Sequence, residues 1–477
     1  MVMHLTTRRA RAESWRLRAC GMATAVLLAA FGVHADQSDR PPSPVTAGED
    51  YCTIEDGARV EMVRPAANEP VIDDVNWFAR PVPNPQGHWV IGFASHNENY
   101  LYNLTTGRRI RIPDRSDAVA TPDGRYMTVP SHYTATNTIN FYDLPTLLER
   151  LQQGRSGAEV PPVFAHKDPD VHDVYYQSVG VVSSQASGGN ETIVYRMMFS
   201  GSREPAPPGF RIVDYTFTRA GGTVTVQASP AMRLCPQIVN DMATPFISKD
   251  GRYVVAHDGQ TGQASLKLFE ILELHPAPQT TSCRPVLDFG FVAGKADFSF
   301  DNTQLTFHVA THDYLTAFVD GGLRAPVMTD VMVVNLMRDA SGAITGHRGL
   351  TRLTLSRTPG VGSYFPAFFP DGRIFYVFNE APKDGAEPKR FQFKVVDPAH
   401  GRRVSEMLTR RGQRETATAI GELWRTSCLP ASKPLDAREA AWYVASLSKA
   451  QCRRLVEDGG HAATFDKAAL LALCDGL

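Results

Sequence analysis

The feature that most constrains how this chain folds is a short pattern recurring at wide intervals: apolar residues, an Asp-Gly-type turn, and a second apolar run. It reads Ala120-Thr121-Pro122-Asp123-Gly124-Arg125-Tyr126-Met127-Thr128-Val129. It returns as Ile247-Ser248-Lys249-Asp250-Gly251-Arg252-Tyr253-Val254-Val255 and as Phe368-Phe369-Pro370-Asp371-Gly372-Arg373-Ile374-Phe375-Tyr376-Val377. Degenerate copies lie at Pro85–Ile91 and Phe300–Phe307. Asp-Gly between apolar runs signals a hairpin, because glycine accepts the positive φ that a tight turn imposes. Gly87 to Gly124 is 37 residues, Gly251 to Asn302 is 51 and Asn302 to Gly372 is 70. The 127 residues from Gly124 to Gly251 leave room for two units. Ser187-Gly188-Gly189-Asn190, between Val179–Ser183 and Thr192–Phe199, supplies the missing turn.

A third apolar strand follows each turn, at Tyr100–Leu104, Thr138–Tyr142, Phe210–Phe217, Ser265–Leu272, Val331–Leu336 and Phe391–Val396. A fourth follows in most units, at Arg109–Ile112, Thr223–Gln227, Pro285–Phe289 and Leu350–Leu355. Four strands repeated six times is the arithmetic of a β-propeller. The expected fold is therefore all-β, a six-bladed β-propeller over residues 71–408 with a small C-terminal helical extension. The Ser/Thr-Pro-Asp-Gly-Arg-Tyr-apolar pattern resembles the TolB-like propeller repeat of exported bacterial proteins. Residues 36–70 are too few for the α/β domain that precedes the propeller in TolB, so the resemblance is to the repeat rather than to that protein.

Beyond the propeller, residues 409–432 read as a polar connector with a short helix, and 433–477 as a helical cap. Asp436 with Glu439, and Ser448 with Gln451, are capping-box signals for two helices. A third is expected from Thr464 to Cys474.

The N-terminus reads as an address. Arg8, Arg9, Arg11, Arg16 and Arg18 precede an apolar run from Ala19 to Val33, and small residues before Asp36 suit cleavage. Residues 1–35 are thus expected to be a signal peptide, with 36–70 an N-terminal extension and the mature protein periplasmic or secreted. The apolar run is shorter than the ~20 residues a bilayer span requires, so no membrane span is expected after cleavage. Cleavage removes Cys20 and leaves Cys52, Cys235, Cys283, Cys428, Cys452 and Cys474. An even six in an oxidising compartment implies up to three disulfides. Cys235 with Cys283 is one expected pair; the other four leave their pairing open.

Chemistry is sparser. If the Asp-Gly turns join first and second strands, then His96, His132, His257 and His312 lie on the opposite face, with His308 on the same strand as His312. His166, Asp168, Asp170, His172 and Asp173 fall within eight residues between units two and three. Three His-Asp pairs, His172-Asp173, His257-Asp258 and His312-Asp313, share the predicted set. Imidazole and carboxylate suit a divalent cation. The candidate ligands are His132, His166, His172, His257, His308 and His312, and the candidate ions are Zn, Mn or Ca. Some TolB-like propellers are metal-dependent oligogalacturonate lyases, so the resemblance implies a polysaccharide lyase or hydrolase as the alternative function. Rim loops of any propeller are polar, however, and no metal-binding motif such as H-E-x-x-H is present. The leading expectation is a binding or scaffold protein without a cofactor, acting as a monomer on a protein or envelope ligand.

Other classes are excluded. Lys+Arg 49 against Asp+Glu 50 gives a net charge of -1, without the basic footprint of a nucleic-acid binder. No glycine-rich phosphate loop and no G-x-S-x-G nucleophile motif occurs.

Overall fold

The computed structural model describes residues 51–52, 80–84, 89–94, 98–104, 109–113, 118–130, 138–167, 174–201, 209–236, 238, 246–258, 265–275, 277, 279–290, 293–310, 329–354, 362–379, 391–396, 398–410, 412–428, 430, 434–459 and 466–477. Strand is the dominant element up to residue 396, and helix takes over beyond it.

Unit one is β1 (Arg80–Pro81), β2 (Trp89–Ala94), β3 (Glu98–Asn103) and β4 (Arg109–Arg111). Unit two is β5 (Val119–Ala120), β6 (Tyr126–Pro130), β7 (Thr138–Asp143) and β8 (Phe164–Lys167), with helix α1 (Leu144–Gln152) between its last two strands. Unit three is β9 (Val174–Ser187), β10 (Asn190–Gly201), β11 (Gly209–Ala220) and β12 (Thr223–Ala228), followed by β13 (Met232–Arg233). Unit four is β14 (Phe246–Ile247), β15 (Tyr253–Asp258), β16 (Ser265–His275) and β17 (Thr280–Asp288). Unit five is β18 (Gly294–Phe298), β19 (Gln304–Ala310), β20 (Thr329–Arg338) and β21 (Ile344–Arg352). Unit six has three strands among the described residues: β22 (Gly362–Phe368), β23 (Ile374–Asn379) and β24 (Phe391–Val396). Within every unit, successive strands pair antiparallel. Units three and four, and units five and six, touch through single parallel bridges, Arg233 to Thr280 and Thr329 to Gly362.

The recurring motif has one local chemistry. In unit two the Thr121 hydroxyl donates to Asp123 (2.6 Å) and accepts from the Tyr126 amide (3.1 Å). Gly124, at φ +71°, closes the turn by donating to the Thr121 carbonyl. Ser248 with Asp250, and Ser299 with Asp301, repeat the pattern in units four and five. There Gly251 (φ +70°) and Asn302 (φ +56°) occupy the left-handed position. Asparagine tolerates that region better than most residues, which is why the degenerate copy still turns. All five described turns join first and second strands.

Six apolar clusters follow the units in order. Ile91 and Leu101 pack with Met127 and Tyr142 between units one and two. Phe141 packs with Tyr195 and Tyr215 between two and three. Ile212 packs with Val254 between three and four, Leu268 with Phe307 between four and five, and Val333 with Tyr376 between five and six. The sixth cluster joins the ends of the series: Val90 and Tyr102 of unit one lie against Phe375, Val377 and Phe393 of unit six. The Tyr102 and Phe393 rings meet edge to face, with centroids 5.3 Å apart. Each unit therefore buries both sheet faces, one against each neighbour.

Unit three is longer than the others. Its first strand meets the unit-four turn at Gly180 and Val181, whose amide donates to the Lys249 carbonyl (2.7 Å). Beyond that level β9 runs on to Ser187, and β10, β11 and β12 accompany it through two Gly-Gly turns at positive φ. The result is a four-stranded extension held to unit two by Arg125, whose guanidinium clamps both Glu191 oxygens. That bond holds the Glu191 carboxyl below the usual carboxylate range.

The rim of unit four carries an ion-pair triad. Glu270 is 5% exposed and accepts from Arg252 Nε (2.9 Å) and from Arg284. Burial alone would raise its pKa, but the two guanidiniums outweigh burial and hold it below the usual value. A depressed folded pKa contributes stability that is present above the unfolded value, about 4.3, and lost as pH falls through the folded one. Both arginines are substantially exposed, so screening keeps the contribution on the order of 1 kcal/mol. Urea melts from pH 7 to pH 3 are expected to lose that component in the parent protein and to lack it in Glu270→Gln. Equal acid sensitivity in both proteins contradicts the assignment.

Helices α2 (Ala399–Thr409), α3 (Gln413–Cys428), α4 (Ala437–Ser446), α5 (Lys449–Asp458) and α6 (Lys467–Asp475) share a separate core of Ile420, Trp424, Trp442, Val444 and Leu455. Both capping boxes are formed, Asp436 with Glu439 and Ser448 with Gln451. The stretch read as a connector with a short helix contains the 16-residue α3, whose Ala417, Ile420 and Trp424 are buried. Three disulfides are present: Cys235–Cys283 between units three and four, Cys452–Cys474 between α5 and α6, and Cys52–Cys428 between the N-terminal segment and α3. No described helix is long and apolar enough to cross a membrane.

Candidate functional site

The first strands of all six units, or the residues flanking them, line one cavity of about 40 Å³. A water needs about 10–15 Å³ of such space, so the void holds a few waters at most. Arg80 and Pro81 come from unit one, Val119 and Pro122 from unit two, and Ser178 from unit three. Phe246 and Lys249 come from unit four, Asp297 and Phe300 from unit five, and Phe368 from unit six. Pro122, Lys249 and Phe300 each precede a turn aspartate directly, so the cavity lies at the turn-bearing end of the first strands.

Its polar groups are tied to one another. The Lys249 ammonium meets Asp297 at 2.7 Å and sits over the Phe300 ring, while its backbone amide donates to Asn302 (2.8 Å). The other Asp297 oxygen accepts from the Phe368 amide at 2.9 Å, so one carboxylate joins units four, five and six. Ser178 accepts from the Ile247 amide (3.1 Å), linking units three and four. The Arg80 guanidinium lies 4.2 Å above the centroid of Phe246, linking one and four by a cation–π contact.

Beside this cavity, units five and six carry the most unusual backbone. Lys295 (φ +44°) and Phe365 (φ +52°) adopt the left-handed region at register shifts of the two first strands, β18 and β22. A non-glycine residue pays roughly 1–2 kcal/mol for that conformation, so the surroundings must hold it. They include His308, fully buried, whose Nδ1 accepts from the Phe365 amide at 3.2 Å. An amide can only donate, so the imidazole is neutral and carries its proton on Nε2. Tyr364 and Phe365 meet the His308 ring edge-on, and the Lys295 ammonium lies 5.7 Å from the centroid of Phe365. Burial pushes the Tyr364 phenol up, partly opposed by its bond with Thr329. This cluster joins two neighbouring units by hydrogen bonds where the sheets are irregular.

Of the histidines picked out from the sequence, His96, His132, His172 and His312 lie outside the described residues, as do Asp168, Asp170, Asp173 and Asp313. His257 lies in β15, with its side chain outside the description. His166 lies in the outermost strand of unit two and bonds to the Tyr215 hydroxyl of unit three (2.8 Å). His308 faces unit six instead, so the two described imidazoles occupy separate environments. Among the described residues no three His, Cys, Asp or Glu side chains gather in a metal-binding group. The cavity residues Arg80, Lys249 and Asp297 were missed in the sequence. Their available signal was a charge inside an apolar first strand, as in Gly294-Lys295-Ala296-Asp297-Phe298.

No family model and no curated protein matches the chain. Solved structures similar to it include the putative TolB from Agrobacterium tumefaciens, at 15% identity over 68% of this chain and 91% of that one, with a TM-score of 0.33. TolB from Acinetobacter baumannii is similar at 12% identity over 71% of this chain and 72% of that one, with a TM-score of 0.29. Kuenenia stuttgartiensis hydrazine synthase is similar at 13% identity over 65% of this chain and 79% of that one, with a TM-score of 0.32.

Proposed function

We propose that this chain is an exported six-bladed β-propeller that works as a binding scaffold, recognising a protein or envelope ligand with the loops of its faces. The observation that carries this reading is the cycle of six apolar clusters, in which unit six closes onto unit one. A cycle of that kind places the Asp-Gly turns together on one face and the loops after the second strands on the other. Recognition on such a scaffold falls to the loops, which the packed strands hold in place. Three disulfides support residence in an oxidising compartment, periplasmic or secreted.

A photo-crosslinker scan tests it. Residues Asp123, Asp301 and Pro370 sample the turn face and Ser265 the opposite one, with the protein expressed in its own envelope. Discrete adducts from one face and not the other are the expected result. Uniform background labelling from every position overturns the scaffold reading.

A further inference from the structure

The extension of unit three offers a surface the rest of the molecule does not. Register and alternation place twelve side chains on one of its faces. They are Ser183, Gln185 and Ser187 of β9, then Asn190, Thr192 and Val194 of β10. Across the sheet follow Thr216, Thr218 and Ala220 of β11, then Thr223, Thr225 and Gln227 of β12. Gln185, Thr192, Thr218 and Thr225 form one continuous cross-strand row. Ten of the twelve carry a hydroxyl or a carboxamide, and none is ionisable, in a chain where charged residues make up 21%. The nearest charges on this side, Arg196 and Asp214 at its base, are paired with each other at 2.8 Å. The opposite face is the one that packs on unit two, through Ile193 and Phe217.

We infer that this face binds a neutral polysaccharide. Four strands 4.8 Å apart and about six residues long make a plate roughly 20 Å on a side. That is roughly 400 Å², half the ~800 Å² per partner of a stable protein interface, which argues against a second copy as the occupant. A hydroxyl both donates and accepts, as does a carboxamide, so the plate matches the mixed donors and acceptors of sugar hydroxyls along an extended chain. The lack of charge disfavours acidic polymers as well as basic ones, since neither finds a counter-ion here. No aromatic ring is available for stacking, so hydrogen bonds carry the affinity and single-chain binding is weak. The inference rests on the binding-scaffold reading and names one ligand class for it.

Native gels cast with hydroxyethylcellulose, dextran or glucomannan, and with polygalacturonate as the acidic control, provide the test. The disulfide-bonded protein is expected to be retarded in at least one neutral gel and not by polygalacturonate. Thr192→Glu with Thr218→Glu should weaken that retardation at least tenfold, and Gln185→Ala with Thr225→Ala about threefold, with circular dichroism unchanged. No retardation in any neutral gel overturns the inference, as does retardation that survives the charged variant. Concentration-dependent self-association abolished by the same variant, without glycan retardation, assigns the face to a second copy and also overturns it. Face-specific crosslinks obtained alongside either negative result leave the scaffold reading standing.

Discussion

Gly180→Ala is expected to cost on the order of 3–5 kcal/mol, a large share of the stability of a protein this size. A Cβ at Gly180 would stand 2.5 Å from the Gly251 nitrogen and 2.7 Å from its Cα, with the Ser248 carbonyl oxygen closer still. All three are backbone atoms of the turn in unit four, and no rotamer change can move them aside. The first strand of unit three would have to lift away, breaking the bond from Val181 to Lys249. Gly188→Ala is the matched control. Unlike Gly180 it sits at positive φ (+58°), and nothing lies within 4 Å of the added carbon, so only the backbone preference is lost, about 1 kcal/mol. Chemical denaturation of the two variants separates the close approach from the backbone preference. Equal losses would show that the turn does not press on β9.

Removing the Cys52–Cys428 bridge has the second large effect. It closes 376 residues of chain, against 22 for Cys452–Cys474. Chain entropy alone gives roughly 6 kcal/mol for the longer loop and roughly 3 kcal/mol for the shorter. Trp424 supplies the readout, because it stacks on Tyr443 at 4.0 Å and its indole N–H donates to the Tyr51 carbonyl at 2.7 Å. Cys52→Ser with Cys428→Ser should lower the denaturation midpoint more than Cys452→Ser with Cys474→Ser, with indole fluorescence shifting at lower denaturant. The reverse order contradicts the loop argument.

The strands were readable because the motif carries its own instructions. Threonine or serine, then aspartate, then glycine make a turn whose bonds lie within six residues, so no distant partner is needed to specify it. All six third strands announced themselves by apolar content. Helix α1 did not, although Asp143 caps it and Leu144, Leu147, Leu148 and Leu151 form its buried stripe. It interrupts a unit where the repeat leads one to expect a fourth strand, and the repeat overrode the 3.6-residue period. The length of α3 was also missed, because Arg410, Arg411 and Arg414 made its surroundings read as solvated linker. The cavity was illegible for a different reason. Lys249 and Asp297 are 48 residues apart and meet only because two first strands converge. His166 and His308 were legible as polar residues, but their partners, Tyr215 and Phe365, follow from packing between units and from no local pattern.

The cluster between units one and six has a consequence for how the protein comes into being. Val90 and Tyr102 are made early, whereas Phe375 and Phe393 follow some 270 to 300 residues later. At about 5–20 residues per second, the interval amounts to roughly 15–60 seconds of synthesis. Throughout it, the residues of unit one that belong to this cluster have no unit-six partner to cover them. Contacts of such long sequence separation also slow folding, since the entropy of closure is lost before the contact forms. The cluster cannot form before both ends of the series are present, and until it forms its apolar residues are a site for aggregation.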